Sequence, residues 1–333
     1  MSDTARRAIW ITTAAFLQWG SISADAKASY ALFDPPGSID TSPMSINNSG
    51  TITGFYTDTS GAHGFVRATD GTITTFDADR YPGTEPRSIN DSGAIAGSYD
   101  DDSGGWHGFV RDADGMITSF DPSGSLATFP TDMNGSSTAA GYYYDGSAEH
   151  GFTRASDGTV TTFDPAGSST TVATSINDQG AVTGYYWDGS TYHAFVRAPD
   201  GSITTFDPAG STLTVATSIN RDGTITGIYE ATNAYHGFVR TTDGSFETFD
   251  VGAYGLDYVT GINRKDTTTG YFEHPIRRTT RTEGFVRRGN GTITEFRLPH
   301  AYATYPESIN DLNWITGSYE EPRGTYHGFL RTP

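Results

Sequence analysis

Apolar and polar residues alternate with period two through most of this chain, in short runs broken by Gly, Asp and Asn. That alternation predicts β-strands with one face buried. The runs recur as a unit: S-I-N-D-x-G-x-I-T-G-x-Y, a short loop, then H-G-F-V-R-x-x-D-G-T-I-T-T-F-D. The Asn of S-I-N falls at Asn47, Asn90, Asn134, Asn177, Asn220, Asn263 and Asn310, in steps of 43 to 47 residues. The aromatic of the G-F pair falls at Phe65, Phe109, Phe152, Phe195, Phe238, Phe285 and Phe329. Both series count seven.

Each copy divides into four strands, here A to D. Strand A ends in S-I-N and an N-D-x-G turn follows, as at Asn90-Asp91-Ser92-Gly93. Strand B is I-T-G-x-Y, as in Ile225–Tyr229, and strand C is H-G-F-V-R, as in His236–Arg240. A D-G turn such as Asp243-Gly244 (Asn290-Gly291 in copy six) leads into strand D, as in Thr72–Asp77. Read as two-residue type I′ turns, these place Phe65 opposite Phe76 and Phe195 opposite Phe206. A four-stranded unit of this length, repeated seven times, predicts an all-β, seven-bladed β-propeller of four-stranded antiparallel blades. The last copy has strands A, B and C but no D, while a D-like segment, Tyr30–Asp34, precedes the first A strand. The N-terminal strand is therefore expected to complete the last blade, which removes an open sheet edge.

Composition agrees. Hydrophobic residues make up only 35%, yet there are 19 Tyr, 19 Phe and 40 Gly, which suits short strands and tight turns. Cysteine is absent, which excludes disulfides, thiolate metal sites and cysteine nucleophiles. A net charge of −18 argues against nucleic acid and anionic membrane as partners. At the N-terminus Arg6-Arg7, an apolar stretch Ala8–Leu17 and Ala24-Asp25-Ala26 have the order of a secretory signal peptide. Residues 1–26 are read as that signal and 27–333 as the propeller, a monomer that is secreted or periplasmic.

The signature I-N-D-x-G-x-I-T-G followed by H-A-F or H-G-F resembles the HAF-repeat family of probable extracellular proteins. The match is literal at His193-Ala194-Phe195 and conservative at His63-Gly64-Phe65. The resemblance implies export and a repeat fold, and it implies no chemistry.

Six histidines recur at one place: His63, His107, His150, His193, His236 and His327. A ring of histidines invites a metal reading, but the hairpin register puts His63 diagonal to Asp77 and His236 near Asp250. In copy six Glu283 replaces the His and Arg297 replaces the Asp. A swap that preserves attraction while reversing both signs belongs to a structural pair, so no metal or other cofactor is expected. The recurring arginines, Arg67 among them, are expected to pair with carboxylates and to cover aromatic rings with their stems. Asp100-Asp101-Asp102 reads as an acidic surface loop.

Function is expected where one copy departs from the rest. Copy six has a lengthened B–C loop, residues 273–283, and 8 of the 21 basic residues lie within Arg264–Arg297. Propeller topology places B–C loops and D–A connections on one face. Arg277, Arg278, Arg281, Tyr254 and Tyr258 are the candidate ligand-binding residues there; His274, His300, Tyr302 and Tyr305 are the candidate catalytic ones. Arg forks suit carboxylates and sulfates, and Tyr faces suit sugars. Two functions follow: a binding or scaffold module for an acidic polysaccharide or other anionic ligand, or a polysaccharide lyase acting on a uronate. In the lyase a His removes the C5 proton, a Tyr protonates the leaving oxygen and an Arg neutralises the carboxylate.

Overall fold

The computed structural model describes residues 28–252, 257–276 and 279–333, without the side chains of 257, 274–276 and 279. The expected signal segment lies outside these residues. Among them there is no helix; 28 strands build antiparallel sheets of repeating A-B-C-D order. Repeat four is typical, with strands Thr170–Ile176, Val182–Trp187, Tyr192–Arg197 and Ile203–Phe206. Single parallel contacts, Ala127 with Trp106 and Thr282 with Ala303, link neighbouring repeats into wider sheets. The segment Ser29–Phe33 pairs antiparallel with Tyr326–Thr332.

The repeated Asn explains why S-I-N recurs. Asn177 is buried; its Oδ1 accepts from the amides of Gln179 and Ala181, and its Nδ2 donates to Asn220 O at 3.2 Å. Each Asn of the series donates in this way to the next, and Asn310 Nδ2 returns to Asn47 O at 2.9 Å. Strand A therefore lies innermost, beside the lumen. Every A strand carries a β-bulge at the residue just before its S-I-N triplet or the equivalent, for example at Thr174 between Ala173 and Ser175. The bulge drives a carbonyl towards strand B, so I-T-G needs its glycine. A Cβ on Gly184 would lie 2.0 Å from Val172 O.

The hairpin register differs by one residue from the expected one: Gly64 opposes Phe76, and Phe65 opposes Thr75. The D-G turns are three-residue loops rather than type I′ turns. Ala68 pairs with Thr72 around Thr69-Asp70-Gly71, with Gly71 at φ 92°, the geometry of a type I turn closed by a left-handed glycine. The aromatic pairing is consequently between repeats. Phe76 meets Phe109 edge-on at 6.2 Å, and Phe163 meets Phe195 at 5.9 Å. The recurring arginines also differ from expectation. Their guanidinium groups, not their stems, cover these rings: Arg111 lies 4.8 Å above Phe76 and Arg197 5.0 Å above Phe163. Cation–π attraction adds to the charge of blade carboxylates, Asp70 beside Arg67, Asp114 beside Arg111 and Asp243 beside Arg240, and Arg287 pairs with Glu247.

The histidines pair as their spacing predicts. His63 Nδ1 lies 2.8 Å from Asp77, His193 Nδ1 2.7 Å from Asp207, and His327 Nδ1 2.8 Å from Asp34. In repeat six Glu283 and Arg297 approach to 3.9 Å. Asp101 of the acidic loop caps the amides of Ser103 and Gly105 and faces His107 at 3.3 Å. Burial lowers the pKa of His107, His150 and His193, but hydrogen bonds and charge from two flanking aspartates each outweigh it, and the net shift is upward. Stability from these pairs is complete below the unfolded histidine value of about 6.5 and is lost as pH rises through the raised folded values. Melting temperature should therefore fall between pH 6 and 8, and glutamine at all three positions should flatten that fall. An unchanged slope in the triple variant would show that the pairs do not titrate on folding.

Candidate functional site

In repeat six the expected long loop is instead a lengthened hairpin. Strand B runs Thr268–Ile276 and strand C Thr279–Arg287, with His274 opposite Arg281 in the backbone register. Beside it, Arg281, Arg297, His300 and Tyr302, with Thr280 and Pro322, line an outer cleft of about 260 Å³. Arg281 and Arg297 each lie 3.9 Å from one carboxylate, Glu283. Two guanidinium charges share one negative charge, so the cleft carries net positive charge within an acidic protein.

His300 sits in the D–A turn at φ 66°. Aligned on the phenylalanine that ends strand D, its place is taken in other repeats by Gly37, Gly124, Gly167 and Gly210, all at φ 81° to 86°. A side chain in the left-handed region costs about 1–2 kcal/mol, so the fold itself would be served better by glycine here. The Ala301 amide closes the turn onto Leu298 O, as Ser211 closes onto Pro208 O.

Two expectations are corrected. Tyr305 and Tyr258 do not line this cleft. Tyr305 meets Tyr271 edge-on at 5.3 Å, and Tyr271 stacks on Tyr258 at 4.9 Å and 19°. Tyr305, Tyr271 and Tyr258 form one ring cluster within reach of the Glu307 charge, and the expected single site divides between the outer cleft and this cluster. The basic cluster also separates. Arg264, on an A–B turn, lines the opposite end of the lumen with Asn263 and Asp311, whereas Arg287 is buried. Tyr254, Arg277 and Arg278 lie outside the described residues, as does the side chain of His274.

Sequence reasoning missed the lumen. The seven bulge positions, Met44, Arg87, Thr131, Thr174, Thr217, Thr260 and Glu307, ring a cavity of about 140 Å³. Aligning the residue before S-I-N in each repeat would have exposed the odd members. Asp132, which stands where five other repeats have Ser and repeat six has Gly261, also lines this cavity. It accepts from Ser88 and Ser175 hydroxyls and from the amides of Met133 and Ile176. At the far end the Asn turns surround a larger concavity of about 540 Å³. Its rim carboxylates serve neighbouring turns: Asp91 accepts from Asn48 N and Asp178 from Gly135 N.

No family model and no curated protein sequence matches the chain. Solved structures do match its architecture. A streptogramin B lyase aligns with TM-score 0.62 and 11% identity over 92% of this chain and 98% of that one. The β-propeller domain of the trilobed protease from Pyrococcus furiosus aligns with TM-score 0.61 and 10% identity, over 88% and 94%. This chain has a β-propeller fold. A virginiamycin B lyase from Staphylococcus aureus is similarly close, with TM-score 0.60 and 13% identity over 92% and 100%. At such identities the likeness concerns the path of the propeller's backbone and not its chemistry. Among the described residues no group of three or more His, Asp and Glu is arranged to hold a metal.

Proposed function

We propose that the chain is an exported, seven-bladed propeller closed through Ser29–Phe33, and that it binds an anionic glycan in the outer cleft of repeats six and seven. The reading rests on Arg281 and Arg297 sharing Glu283 in a cleft edged by Tyr302. Elsewhere the corresponding pair is His with Asp, for example His193 with Asp207. A guanidinium not fully neutralised by its partner offers paired donors to a uronate carboxylate or a sulfate, and a phenol ring offers a face to a sugar. Seven blades are supported by the unbroken Asn series, and closure by the pairing of Ser29–Phe33 with Tyr326–Thr332.

Calorimetric titration with polygalacturonate tests the binding reading. Glu283→His combined with Arg297→Asp restores the pair used by other blades, so folding should survive while affinity falls at least tenfold. Raising salt from 50 to 200 mM should weaken the native protein's binding through screening. His300→Gly should raise stability by about 1 kcal/mol and weaken binding. Wild-type affinity in the charge-restored variant would rule out the outer cleft.

The placement of His300, Tyr302 and Arg281 on one cleft supports a second reading, the uronate lyase. There His300 removes the C5 proton, the C4–O bond breaks with Tyr302 protonating the leaving oxygen, and a C4–C5 double bond remains. Ultraviolet absorbance growing during incubation, and abolished by His300→Ala, would select this reading over binding alone.

A further inference from the structure

Among the described residues, one charged side chain in the lumen has no hydrogen-bond or ion-pair partner. Three of the four threonines of the bulge ring are satisfied by the neighbouring blade: Thr131, Thr174 and Thr260 donate to Ala173, Ala216 and Pro306 carbonyls, each at 2.9 Å. Arg87 pairs with Glu85 at 2.5 Å and lies over the Phe55 ring at 5.7 Å. Asp132 accepts the four bonds described above. Glu307 has no hydrogen-bond or ion-pair partner among the described residues. Its side chain lines the lumen, and burial pushes its carboxyl up to about 7 against a smaller lowering by Arg87. An unpaired carboxylate in such a place is costly unless a cation meets it.

What lies next to Glu307 indicates the kind of cation. Two residues earlier on the same strand is Tyr305, which leads to Tyr271 and Tyr258. Burial first, and then the charge of Glu307, raise the Tyr271 hydroxyl to about 12, so this ring stays neutral. Burial raises Tyr305 as well, with Glu320 and Glu273 adding to the shift. Neutral phenol faces beside carboxylates, near an arginine already paired, attract organic ammonium groups.

We propose that the lumen at blades six and seven binds an organic cation, its ammonium group against Glu307 and its alkyl substituents against Tyr258, Tyr271 and Tyr305. This site is separate from the outer cleft and stands or falls independently of it. The groups facing Glu307 are Arg87 and Asp132 from the other inner strands and the three tyrosines with Glu273 on its own side. Arg87 is paired with Glu85, burial holds Tyr271 and Tyr305 above the ordinary phenol value, and Asp132, which burial also raises, is already held by four hydrogen bonds, so Glu307 sets the pH dependence. Binding requires its carboxylate and strengthens as pH rises through about 7.

The test is a titration of the full chain with choline chloride at constant ionic strength, followed by calorimetry and by tyrosine fluorescence. The uncharged isostere 3,3-dimethylbutanol serves as the control ligand. Choline is expected to bind at least tenfold more tightly than the isostere at pH 8, and several-fold less tightly at pH 6 than at pH 8. Glu307→Thr installs the residue that four other blades carry, so it should melt no lower than the wild type while losing at least tenfold in choline affinity. Tyr271→Ala should lose affinity for choline and isostere alike. Absence of choline binding, equal affinity for the isostere, or undiminished affinity in a folded Glu307→Thr protein would each overturn the proposal.

Discussion

Asn177→Ala melts about 5 °C below the wild type, given about 3 kcal/mol lost and about 1.5 °C per kcal/mol for a domain of roughly 300 residues. The substitution removes three hydrogen bonds at once. Two hold the turn that follows strand A, and one ties that turn to the next blade at Asn220 O. All the partners are backbone groups, and Asn177 itself is buried, so the orphaned donors and acceptors find little water. Asp keeps the Oδ1 acceptor of the two turn bonds but cannot replace the Nδ2 donor, so Asn177→Asp should still melt below the wild type. Thermal melts followed by circular dichroism decide the matter. A loss below about 1 kcal/mol would mean that the Asn series decorates the ring without holding it.

Phe33→Ala should cost about 3 kcal/mol or more, as Phe-to-Ala changes in cores do, and about as much as Phe163→Ala. The two residues have the same place in different blades. Phe33 lies over Gly328 as Phe76 lies over Gly64, with ring atoms 2.7 Å from where a Cβ would be. It meets Phe65 edge-on at 6.0 Å and carries the Arg67 guanidinium at 4.9 Å, as Phe163 meets Phe195 and carries Arg197. The difference is covalent: the strand bearing Phe33 comes from the other end of the chain. Urea unfolding of both variants compares them directly. If Phe163→Ala is costly and Phe33→Ala nearly neutral, the pairing of Ser29–Phe33 with Tyr326–Thr332 contributes little to stability.

The strands were legible in the sequence because their determinants are local. Alternation, D-G and N-D-x-G turns and small residues beside phenylalanines recur at every copy. The His–Asp pairs were also legible, because His63 and Asp77 are joined by one hairpin. The one-residue error in that hairpin arose from the turn: Asp-Gly fits both a two-residue and a three-residue loop, and the left-handed Gly71 selects the longer. It left the His–Asp contact intact, since a diagonal neighbour stays within reach, but moved the phenylalanine contacts from within a blade to between blades.

The candidate site was only partly legible. Arg281, His300 and Tyr302 meet as their topology predicts, and Arg297 joins them. Tyr258 and Tyr305 do not, and Glu307 was passed over. What the sequence by itself determined was the repeat, the strands and the odd blade, all written in neighbours within one copy. Tertiary structure decided which residues face the lumen. The bulge in each inner strand shifts the phase of alternation, so period two read through S-I-N assigns the bulge residue to the wrong side. Glu307 comes under the charge of Arg87 and acts on Tyr271 only because tertiary packing brings together positions from different repeats, and no local pattern encodes that proximity.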